Sequence, residues 1–442
     1  MWQHKTRLVL QQDTADRSFL PVFKALAAGC LMVIVLGMLA ACGGSSQTSS
    51  TSSNGKITIT EMDYWSIPAQ GATLNMLFHR YEQLHPNVTI QRTAVPFANL
   101  IPKADQEAAS HTLPNLLVLD NPNVADFAST GALQPLDSYM QGTFNASDFY
   151  AGPLSTMKYQ GKTYAFPVGS NDLALFYNKK LLDAAHISPP KTWSDLTAAA
   201  KQLTHGNTYG FAFSASNDEQ GTFQYEPYLW SNQGDLSKVD SPQGVAALQF
   251  LTNMVHSGYA SRAVLNWGQP DVATQFGEGH AAMMENGPWE IPALEQQSHM
   301  KFGTDFDVVP FPVPQAGMKP VVPLGGEEWT IPVSDPAKMK ATWDLVNWLE
   351  QPDQLIALDK GFNYIPAIKS AAQTLLQSEP YLLVFANEFD TARARTAQLG
   401  PKYPKVSEAI WTSEQAAITG SLSPQAALSQ AQQHINTVLS SS

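Results

Sequence analysis

A tryptophan stands at the end of one short apolar segment, where a ligand could be bound. Residues 281–284 form the apolar run, Asn286-Gly287-Pro288 interrupts it, and Trp289 follows at once. The run is typical of a buried strand, and proline is well tolerated in the first turn of a following helix. Ligands bind at the carboxyl ends of strands in open α/β sheets. Trp289 is therefore either an aromatic ligand contact or a core residue, and its immediate neighbours do not decide between them.

Polar and aromatic side chains flank several other predicted strands. These residues are Trp65, Asp120, Asn121, Asn123, Asn171, Asp172, Glu328 and Trp329. Glu226, Tyr228 and Trp230 lie in a further polar segment that is rich in aromatic residues. The ten histidines include no pair with the spacing of metal ligands. No glycine-rich phosphate loop follows the N-terminal strands, which argues against nucleotide binding, so we expect neither a metal nor a cofactor.

The elements that would position these residues alternate between strands and helices. The first predicted segments are 57–60, 74–84, 88–90, 103–110 and 115–119. The last of these is a continuous apolar run, which is typical of a parallel strand buried on both faces. The alternation predicts an α/β fold in which a mostly parallel sheet carries helices on both faces. Further along, Thr192 and Asp195 have the spacing of a helix-capping pair.

Length and charge narrow the class of protein. The 442 residues, of which 44% are hydrophobic, are enough for two domains with their own cores. The net charge of −12 offers no basic footprint for nucleic acid. We therefore expect no nucleic-acid partner.

The N-terminus has the anatomy of a targeting segment. Four basic residues precede an apolar run at 25–41, and Cys42 follows small residues at its end. This pattern resembles the bacterial lipoprotein signal, in which residues 1–41 are removed and Cys42 is lipidated. A transmembrane anchor is the alternative, because the run is close to the lower length limit for a span. Residues 42–55 are rich in Gly, Ser and Thr and predict a flexible linker.

Motifs along most of the remaining chain resemble the extracellular solute-binding proteins of sugar-importing ABC transporters, the family that includes maltose-binding protein. The motifs occur in the family's order. They are Gly161-Lys162-x-Tyr164-x-x-Pro167, Leu175-Phe176-Tyr177-Asn178-Lys179, Pro190-Lys191-Thr192-Trp193, Phe276-x-x-Gly279-x-Ala281-Ala282-Met283, Asn286-Gly287-Pro288-Trp289 and Trp329-Thr330-Ile331-Pro332.

The resemblance implies two α/β lobes, each a mostly parallel sheet flanked by helices, joined by two or three crossover strands. The expected N-lobe is 56–167 plus 286–328, and the expected C-lobe is 168–284 plus 333–442. The chain would cross between the lobes near 167–172, near 284–287 and near 327–332. A ligand would lie between the lobes, which would close on it by a hinge motion.

The resemblance also implies roles for the candidate residues. Trp289 matches the family's stacking tryptophan, and Glu226 with Tyr228 matches a Glu-Pro-Tyr motif that lines the sugar site. Aromatic rings stack on the apolar faces of a sugar, while acids and amides bind its hydroxyls. By the same resemblance, the site would be completed by Trp65, Asp120, Asn121, Asn123, Asn171, Asp172, Trp230, Glu328 and Trp329. Arg393 and Arg395 lie in a stretch that we expect to be a solvated helical face.

The implied function is a monomeric binding protein that delivers a carbohydrate, expected to be an oligosaccharide, to an ABC permease. A lipid on Cys42 would hold it on the extracytoplasmic side of the cell membrane. A secreted glycoside hydrolase is one alternative, which would require two paired carboxyls drawn from acids such as Glu285, Glu327 and Glu328. A binding protein for a glycerol-phosphate-type polyol is another, and it would require converging Arg or Lys side chains.

Overall fold

The computed structural model describes residues 55–65, 67–142, 145–389, 391–396 and 398–441. The predicted signal segment 1–41, Cys42 and all but the last residue of the linker 42–55 lie outside these ranges. Within the described ranges, no helix combines the length and the apolar composition that a membrane span requires.

Strands and helices alternate along the described chain, as the sequence predicts. The strands are β1 (Ile57–Asp63), β2 (Val88–Ala94), β3 (Leu116–Asp120), β4 (Lys158–Tyr159), β5 (Lys162–Thr163), β6 (Ala165–Pro167), β7 (Ala174–Asn178), β8 (Met283–Asn286), β9 (Phe306–Val309), β10 (Pro323–Leu324), β11 (Glu327–Thr330) and β12 (Arg393–Ala394). The helices are α1 (Pro68–Leu84), α2 (Phe97–Ala109), α3 (Val124–Ser129), α4 (Ala151–Thr156), α5 (Lys179–Ala184), α6 (Trp193–Leu203), α7 (Glu219–Ser231), α8 (Pro242–His256), α9 (Gln269–Gly277), α10 (Ile291–Gln296), α11 (Pro336–Leu349), α12 (Pro352–Phe362), α13 (Lys369–Ser378), α14 (Leu383–Glu388), α15 (Tyr403–Thr419) and α16 (Pro424–Ser440).

The first sheet has five strands in the order β2-β1-β3-β11-β6. β1 runs parallel to β2 and β3, whereas β11 runs antiparallel to its neighbours β3 and β6. Every residue of β3 is buried, as expected for a parallel strand covered on both faces. The register places Glu327, at the start of β11, beside Asp120, at the end of β3. Two carboxyl side chains therefore meet at one edge of this sheet.

The second sheet consists of β8, β7 and β9, with β7 in the middle. Both strand pairs are antiparallel, where a mostly parallel sheet was expected. The reason lies in the path of the chain: β7 leads away from the first sheet, and β8 and β9 both lead back towards it. Asn286, at the end of β8, accordingly lies beside Ala174, at the start of β7.

In the described part of the chain, segment 168–173 joins β6 to β7 and segment 310–326 joins β9 to β11, and a third segment, 363–368, leads from α12 to α13. Backbone hydrogen bonds tie them together, because Ser170 exchanges two bonds with Ile365, at 2.8 and 2.9 Å. Asn171 and Gly325 exchange two more, at 3.2 and 2.8 Å. The first segment is the crossing expected near 167–172.

The other two crossings differ from those expected near 284–287 and 327–332. Met284 lies inside β8 in the second sheet, and Glu327 lies inside β11 near the middle of the first. Both stretches are apolar or fully buried strands, so the sequence alone could not distinguish a strand within a sheet from one that crosses between sheets.

Helices α11 and α12 pack on the first sheet. Trp343 of α11 and Leu358 of α12 share a core with Ile59 of β1. The expected boundaries assigned all of 333–442 to the C-lobe, so this part of the assignment does not agree with the packing.

Strand β9 packs with the second sheet, although it falls in the segment 286–328 that was expected in the N-lobe. Phe306 of β9 stacks on Phe176 of β7 with ring centroids 6.2 Å apart. The rest of the lobe assignment stays a prediction.

A second large core lies among α6, α7, α8, α15 and α16, on the side of the second sheet. The predicted cap at the start of α6 is confirmed, because the Asp195 amide donates to Thr192 Oγ1 at 3.1 Å and the Asp195 carboxylate accepts from the Thr192 amide. This capping box marks the start of α6 and gives hydrogen-bond partners to backbone N–H groups that would otherwise lack them.

Candidate ligand-binding site

A cavity of about 460 Å³ lies between the carboxyl end of the first sheet and helices that pack around the second. One side of it, here called the first wall, follows strands β1, β2 and β3. The first wall is made of Tyr64, Trp65, Ile67, Gln70, Pro96, Phe97, Ala98 and Asp120. Because the three strands are parallel, their carboxyl ends deliver these residues to the same edge of the sheet.

The opposite side, here called the second wall, is built from the first turns of α7 and α9 and from a short turn after β8. Its residues are Ser216, Asn217, Asp218, Glu219, Gln220, Phe223, Asn266, Gly268, Gln269, Pro270, Asp271, Trp289 and Glu290. Helix N-termini present free amide groups. Asp218 accepts one from Gln220 at 3.0 Å, and Asp271 accepts one from Gly268 at 3.0 Å.

The crossing segments and their neighbours close the bottom of the cavity. This floor consists of Asn171, Gly325, Gly326, Glu327, Tyr364 and Arg395. Gly326 has a φ of +135°, and a Cβ atom there would lie 2.3 Å from the carbonyl oxygen of Gly169. Only glycine fits this position without displacing the backbone of the first crossing.

Trp289 reaches the cavity because the residue before its turn is glycine. A Cβ atom on Gly287 would lie 1.9 Å from Cζ3 of the Trp289 ring, so the ring occupies the space that any other side chain would need. The ring is 9% exposed and lies 6.3 Å from the ring of Phe223, centroid to centroid. Two aromatic rings thus form an apolar surface on the second wall.

Arg395 is the central basic residue of the floor. Its Nη1 donates to Asp120 Oδ2 at 2.8 Å and to Glu219 Oε1 at 2.7 Å, and its Nη2 donates to Asp120 Oδ1 and, at 3.1 Å, to Asn121 Oδ1. The guanidinium also lies over the Phe223 ring, 4.7 Å from the centroid. Burial alone would lower the pKa of Arg395, but Asp120 and Glu219 together raise it well above its ordinary value. The side chain therefore stays charged.

Glu327 lies at the centre of the floor, where its hydrogen-bond partners are tyrosine hydroxyls. Its Oε1 accepts hydrogen bonds from the hydroxyls of Tyr64, at 2.7 Å, and Tyr364, at 2.8 Å. Burial raises the pKa of Glu327 to about 8; Asp120 adds to this effect, while the two tyrosine hydroxyls oppose it. Glu327 can therefore accept or donate a hydrogen bond near neutral pH.

Glu290, on the second wall, is buried with no hydrogen-bond partner for either carboxyl oxygen. Burial raises its pKa to about 8, Asp271 adds to the effect, and the nearby Trp289 side chain opposes it. A buried carboxylate without a basic partner is costly, so burial favours the protonated form of Glu290 until a positive group compensates its charge.

Four of the predicted contacts line the cavity, and eight do not. Trp65 and Asp120 belong to the first wall, Asn171 to the floor and Trp289 to the second wall. Their contact with a ligand stays a prediction. The candidates that lie behind the cavity surface are Asn121, Asn123, Asp172, Glu226, Tyr228, Trp230, Glu328 and Trp329.

Three of these eight lie on α7 beyond its first turns. Only the start of that helix reaches the cavity, and its later residues enter the core around it. The Tyr228 hydroxyl donates to Glu285 at 3.0 Å, Glu226 accepts from Tyr403 at 3.0 Å, and Trp230 lies under the guanidinium of Arg393. In this structure the three side chains contact other protein groups, and their contact with a ligand stays a prediction.

Strand geometry accounts for the two residues of β11. Successive side chains of a strand point to opposite faces. Glu327 faces the cavity, so Glu328 points away and accepts a hydrogen bond from Thr156. Trp329 lies one step further into the sheet, where its ring packs 5.6 Å from that of Trp65.

The remaining three candidates stand one layer behind the floor and the first wall. Asn121 and Asn123 lie in the turn after β3, where the side-chain Nδ2 of Asn121 donates to the Leu324 carbonyl at 3.1 Å. Asp172 is fully buried, and burial together with Glu388 raises its pKa well above the ordinary value.

Sequence reasoning missed several lining residues, above all Arg395, Glu290 and Tyr364. Arg395 was expected on a solvated helix, but Arg393–Ala394 is a short strand that pairs with β10. No local pattern marks that pairing. Glu290 directly follows Trp289, and this adjacency is a signal that could have identified it.

The cavity combines aromatic surfaces with carboxyl, amide and hydroxyl groups, which suits a ligand that has both apolar faces and many hydroxyls. Among the described residues, no cluster of three or more His, Cys, Asp or Glu has the arrangement of a metal site.

Comparison with known proteins gives consistent matches. A sequence model described as bacterial extracellular solute-binding protein matches residues 76–381. A maltotriose-binding protein of Pyrococcus abyssi is 26% identical over 322 residues, which are 69% of this chain and 65% of the relative.

Two crystal structures extend the similarity to the fold. An ABC transporter solute-binding protein from Thermotoga lettingae, bound with α-D-tagatose, has a TM-score of 0.79 and 25% identity, covering 86% of this chain and 99% of the other. The GacH receptor of Streptomyces glaucescens, solved unliganded and with acarbose, has a TM-score of 0.74 and 27% identity, covering 86% and 98%.

Proposed function

This chain belongs to the bacterial extracellular solute-binding protein family, and we propose that it binds a carbohydrate, most simply an oligosaccharide, in the cavity between its two sheets. The ligand contacts would include Trp65, Asp120, Asn171 and Trp289. The protein would act as the binding component of an ABC importer and pass its ligand to a permease.

The composition of the cavity is the observation that carries this proposal. Trp289 and Phe223 offer adjacent aromatic rings, while carboxyl and amide groups surround them on both walls. A sugar ring presents apolar C–H faces and a rim of hydroxyls, so it can use both kinds of surface at once. The relatives support this assignment, because those compared above were named for maltotriose or solved with tagatose and acarbose.

Anchoring is part of the same proposal and rests on the N-terminal sequence. Removal of residues 1–41 would leave Cys42 as a lipidated N-terminus, and the linker 42–55 would hold the folded part away from the membrane surface. The protein would then work as a monomer on the extracytoplasmic face. Mass spectrometry of the protein purified from membranes would detect a diacylglycerol-modified or acylated Cys42.

A phosphorylated polyol fits the cavity less well. Such a ligand would need free Arg or Lys side chains. Arg395 is already bound by Asp120 and Glu219, and it is the one basic side chain among the described lining residues. The other charged lining residues are carboxylic acids, which would repel a phosphate.

A thermal-shift screen followed by calorimetry tests carbohydrate binding. The protein as purified from membranes in detergent would be measured against maltose, maltotriose, mannobiose, tagatose and an amino-sugar series. A ligand present at a thousand times its dissociation constant adds about 4 kcal/mol to the stability. We expect at least one sugar to raise the melting temperature and to bind with saturation.

Two outcomes would contradict the proposal. One is that no carbohydrate of the panel shifts the transition while the protein is folded. The other is that incubated oligosaccharides are cleaved to smaller sugars, which would indicate a glycoside hydrolase instead of a binding protein.

A further inference from the structure

The cavity is lined by more carboxylic side chains than its basic side chain can neutralise. Among the described residues, six carboxylic side chains line it, namely Asp120, Asp218, Glu219, Asp271, Glu290 and Glu327. Within the described part of the lining, Arg395 is the single basic side chain, and it pairs with Asp120 and Glu219. The other four carboxyls face the cavity without a basic partner.

Three of these four have a structural use that explains their presence. Asp218 and Asp271 accept backbone amides at the starts of α7 and α9, and Glu327 accepts two tyrosine hydroxyls. Glu290 has no such use. It is 1% exposed, and neither of its oxygens accepts a well-formed hydrogen bond within the protein, although the Trp289 side chain is close enough to favour its charged form.

The surroundings of Glu290 favour a positive ligand group. Asp271, on the first turn of α9, adds negative potential to the same part of the second wall and contributes to the raised pKa of Glu290. Trp289, the preceding residue, brings an aromatic ring to the same wall. Ammonium groups bind well between a carboxylate and an aromatic face, because both attract positive charge.

We propose that the carbohydrate carries a protonated amino group, and that Glu290, supported by Asp271, binds this ammonium beside the Trp289 ring. The inference rests on the proposed function, since it names the class of carbohydrate that the same cavity takes. That class is an amino sugar with a free amine; its N-acetylated form, which is neutral, and sugar phosphates or uronic acids would bind less well.

Sugars that differ only at the amino group measure how much that group contributes to binding. Calorimetry of the protein purified from membranes would compare the β-1,4-linked glucosamine disaccharide with its N-acetylated form and with the glucose disaccharide of the same linkage. The three monosaccharides would form a second series, which is independent of linkage. We expect the sugar with the free amine to bind at least tenfold more tightly than its two neutral counterparts. This comparison is made in each series of sugars, disaccharide or monosaccharide, for which binding is detected.

The outcomes distinguish this inference from the proposed function. Binding of neutral sugars as tight as, or tighter than, that of their amino counterparts would overturn the inference and leave carbohydrate binding intact. Failure of every sugar, neutral or amino, to bind the folded protein would overturn both.

An isosteric variant tests the role of the charge on Glu290. Glu290→Gln should weaken binding of the amino sugar at least tenfold and change binding of a neutral sugar by less than about threefold. Glu328→Gln is the matched control, because Glu328 is equally buried but points away from the cavity. An equal loss for amino and neutral sugars in Glu290→Gln would show a structural role only and would contradict the inference.

Discussion

Arg395 and Asp120 form a two-point ion pair that joins distant parts of the chain. Both guanidinium Nη atoms donate to the Asp120 carboxylate at the end of β3, and Nη1 also donates to Glu219 at the start of α7. Asp120 belongs to the first wall and Glu219 to the second. One buried side chain, contributed by neither wall, therefore connects them from the floor.

Removal of Arg395 is expected to be costly. Arg395→Ala would leave the buried carboxylate of Asp120 without its partner, and the loss of one member of a buried pair typically costs about 3–5 kcal/mol. Urea unfolding of the protein without ligand would measure the change in the free energy of unfolding.

Arg393 provides the matched control two residues away. Its guanidinium is partly exposed, pairs with Asp235 at 3.2 Å and lies over the Trp230 ring. Pairs of this kind contribute about 0–1 kcal/mol, so Arg393→Ala should cost clearly less than Arg395→Ala. Equal losses in the two variants would show that the buried bridge has no special importance.

Trp289 should dominate the affinity for the ligand. Trp289→Ala is expected to lose about 3 kcal/mol of binding free energy, or roughly a hundredfold in affinity, as central aromatic anchors do. The measurement is calorimetric titration with the tightest sugar of the panel.

Fluorescence distinguishes Trp289 from a tryptophan that the sequence also suggested. We expect sugar binding to quench tryptophan emission, and Trp289→Phe should abolish most of that change. Trp230→Phe should preserve it, because Trp230 lies in the core outside the cavity. Quenching that survives in Trp289→Phe and disappears in Trp230→Phe would show that the ligand binds elsewhere.

We expect Gly287 to influence ligand affinity only through the position of the Trp289 ring. The added methyl group in Gly287→Ala would overlap the ring, so the ring must move and the affinity should fall at least tenfold. In the Trp289→Ala background the same substitution has no ring to displace, and its further effect on affinity should be less than about twofold. A full additional loss in the double variant would mean that Gly287 acts through the backbone instead.

The sequence was informative where the determining contacts are local. The Thr192–Asp195 cap depends on residues three apart, and the buried strand β3 is a continuous apolar run, so both were predictable. The placement of Trp289 at the cavity followed from a strand end and a family motif. It did not require knowledge of its distant neighbours.

The rest of the site depends on contacts that local patterns do not encode. Both faces of β11 are buried, so its burial pattern gave no reason to choose Glu327 over Glu328 as the residue facing the cavity. Arg395 reaches Asp120 across 275 positions of sequence. Tyr228 was predicted as a ligand contact from a family motif, whereas its hydrogen-bond partner, Glu285, comes from a separate strand.

The pH dependence of stability should reflect the buried acids. Burial is the main cause that raises the pKa values of Glu290, Glu327, Glu328 and Glu388 to about 8, compared with about 4.5 in the unfolded chain. Between these values the folded protein holds protons that the unfolded chain has released. The stabilisation that comes from these protonated acids is therefore complete below about pH 4.5 and is lost as the pH rises through about 8.

Glu328→Gln isolates one of these protons without altering the cavity. The unfolding free energy of the parent should fall as the pH rises from about 5 to about 8. In the variant this fall should be less steep by up to about 1.4 kcal/mol per pH unit, because one proton fewer is released on unfolding. Urea unfolding at several pH values measures the slope. Glu408→Gln, on the exposed surface of α15, is the control for the substitution itself. A Glu328→Gln slope equal to that of the parent would show that Glu328 is ionised in the folded protein.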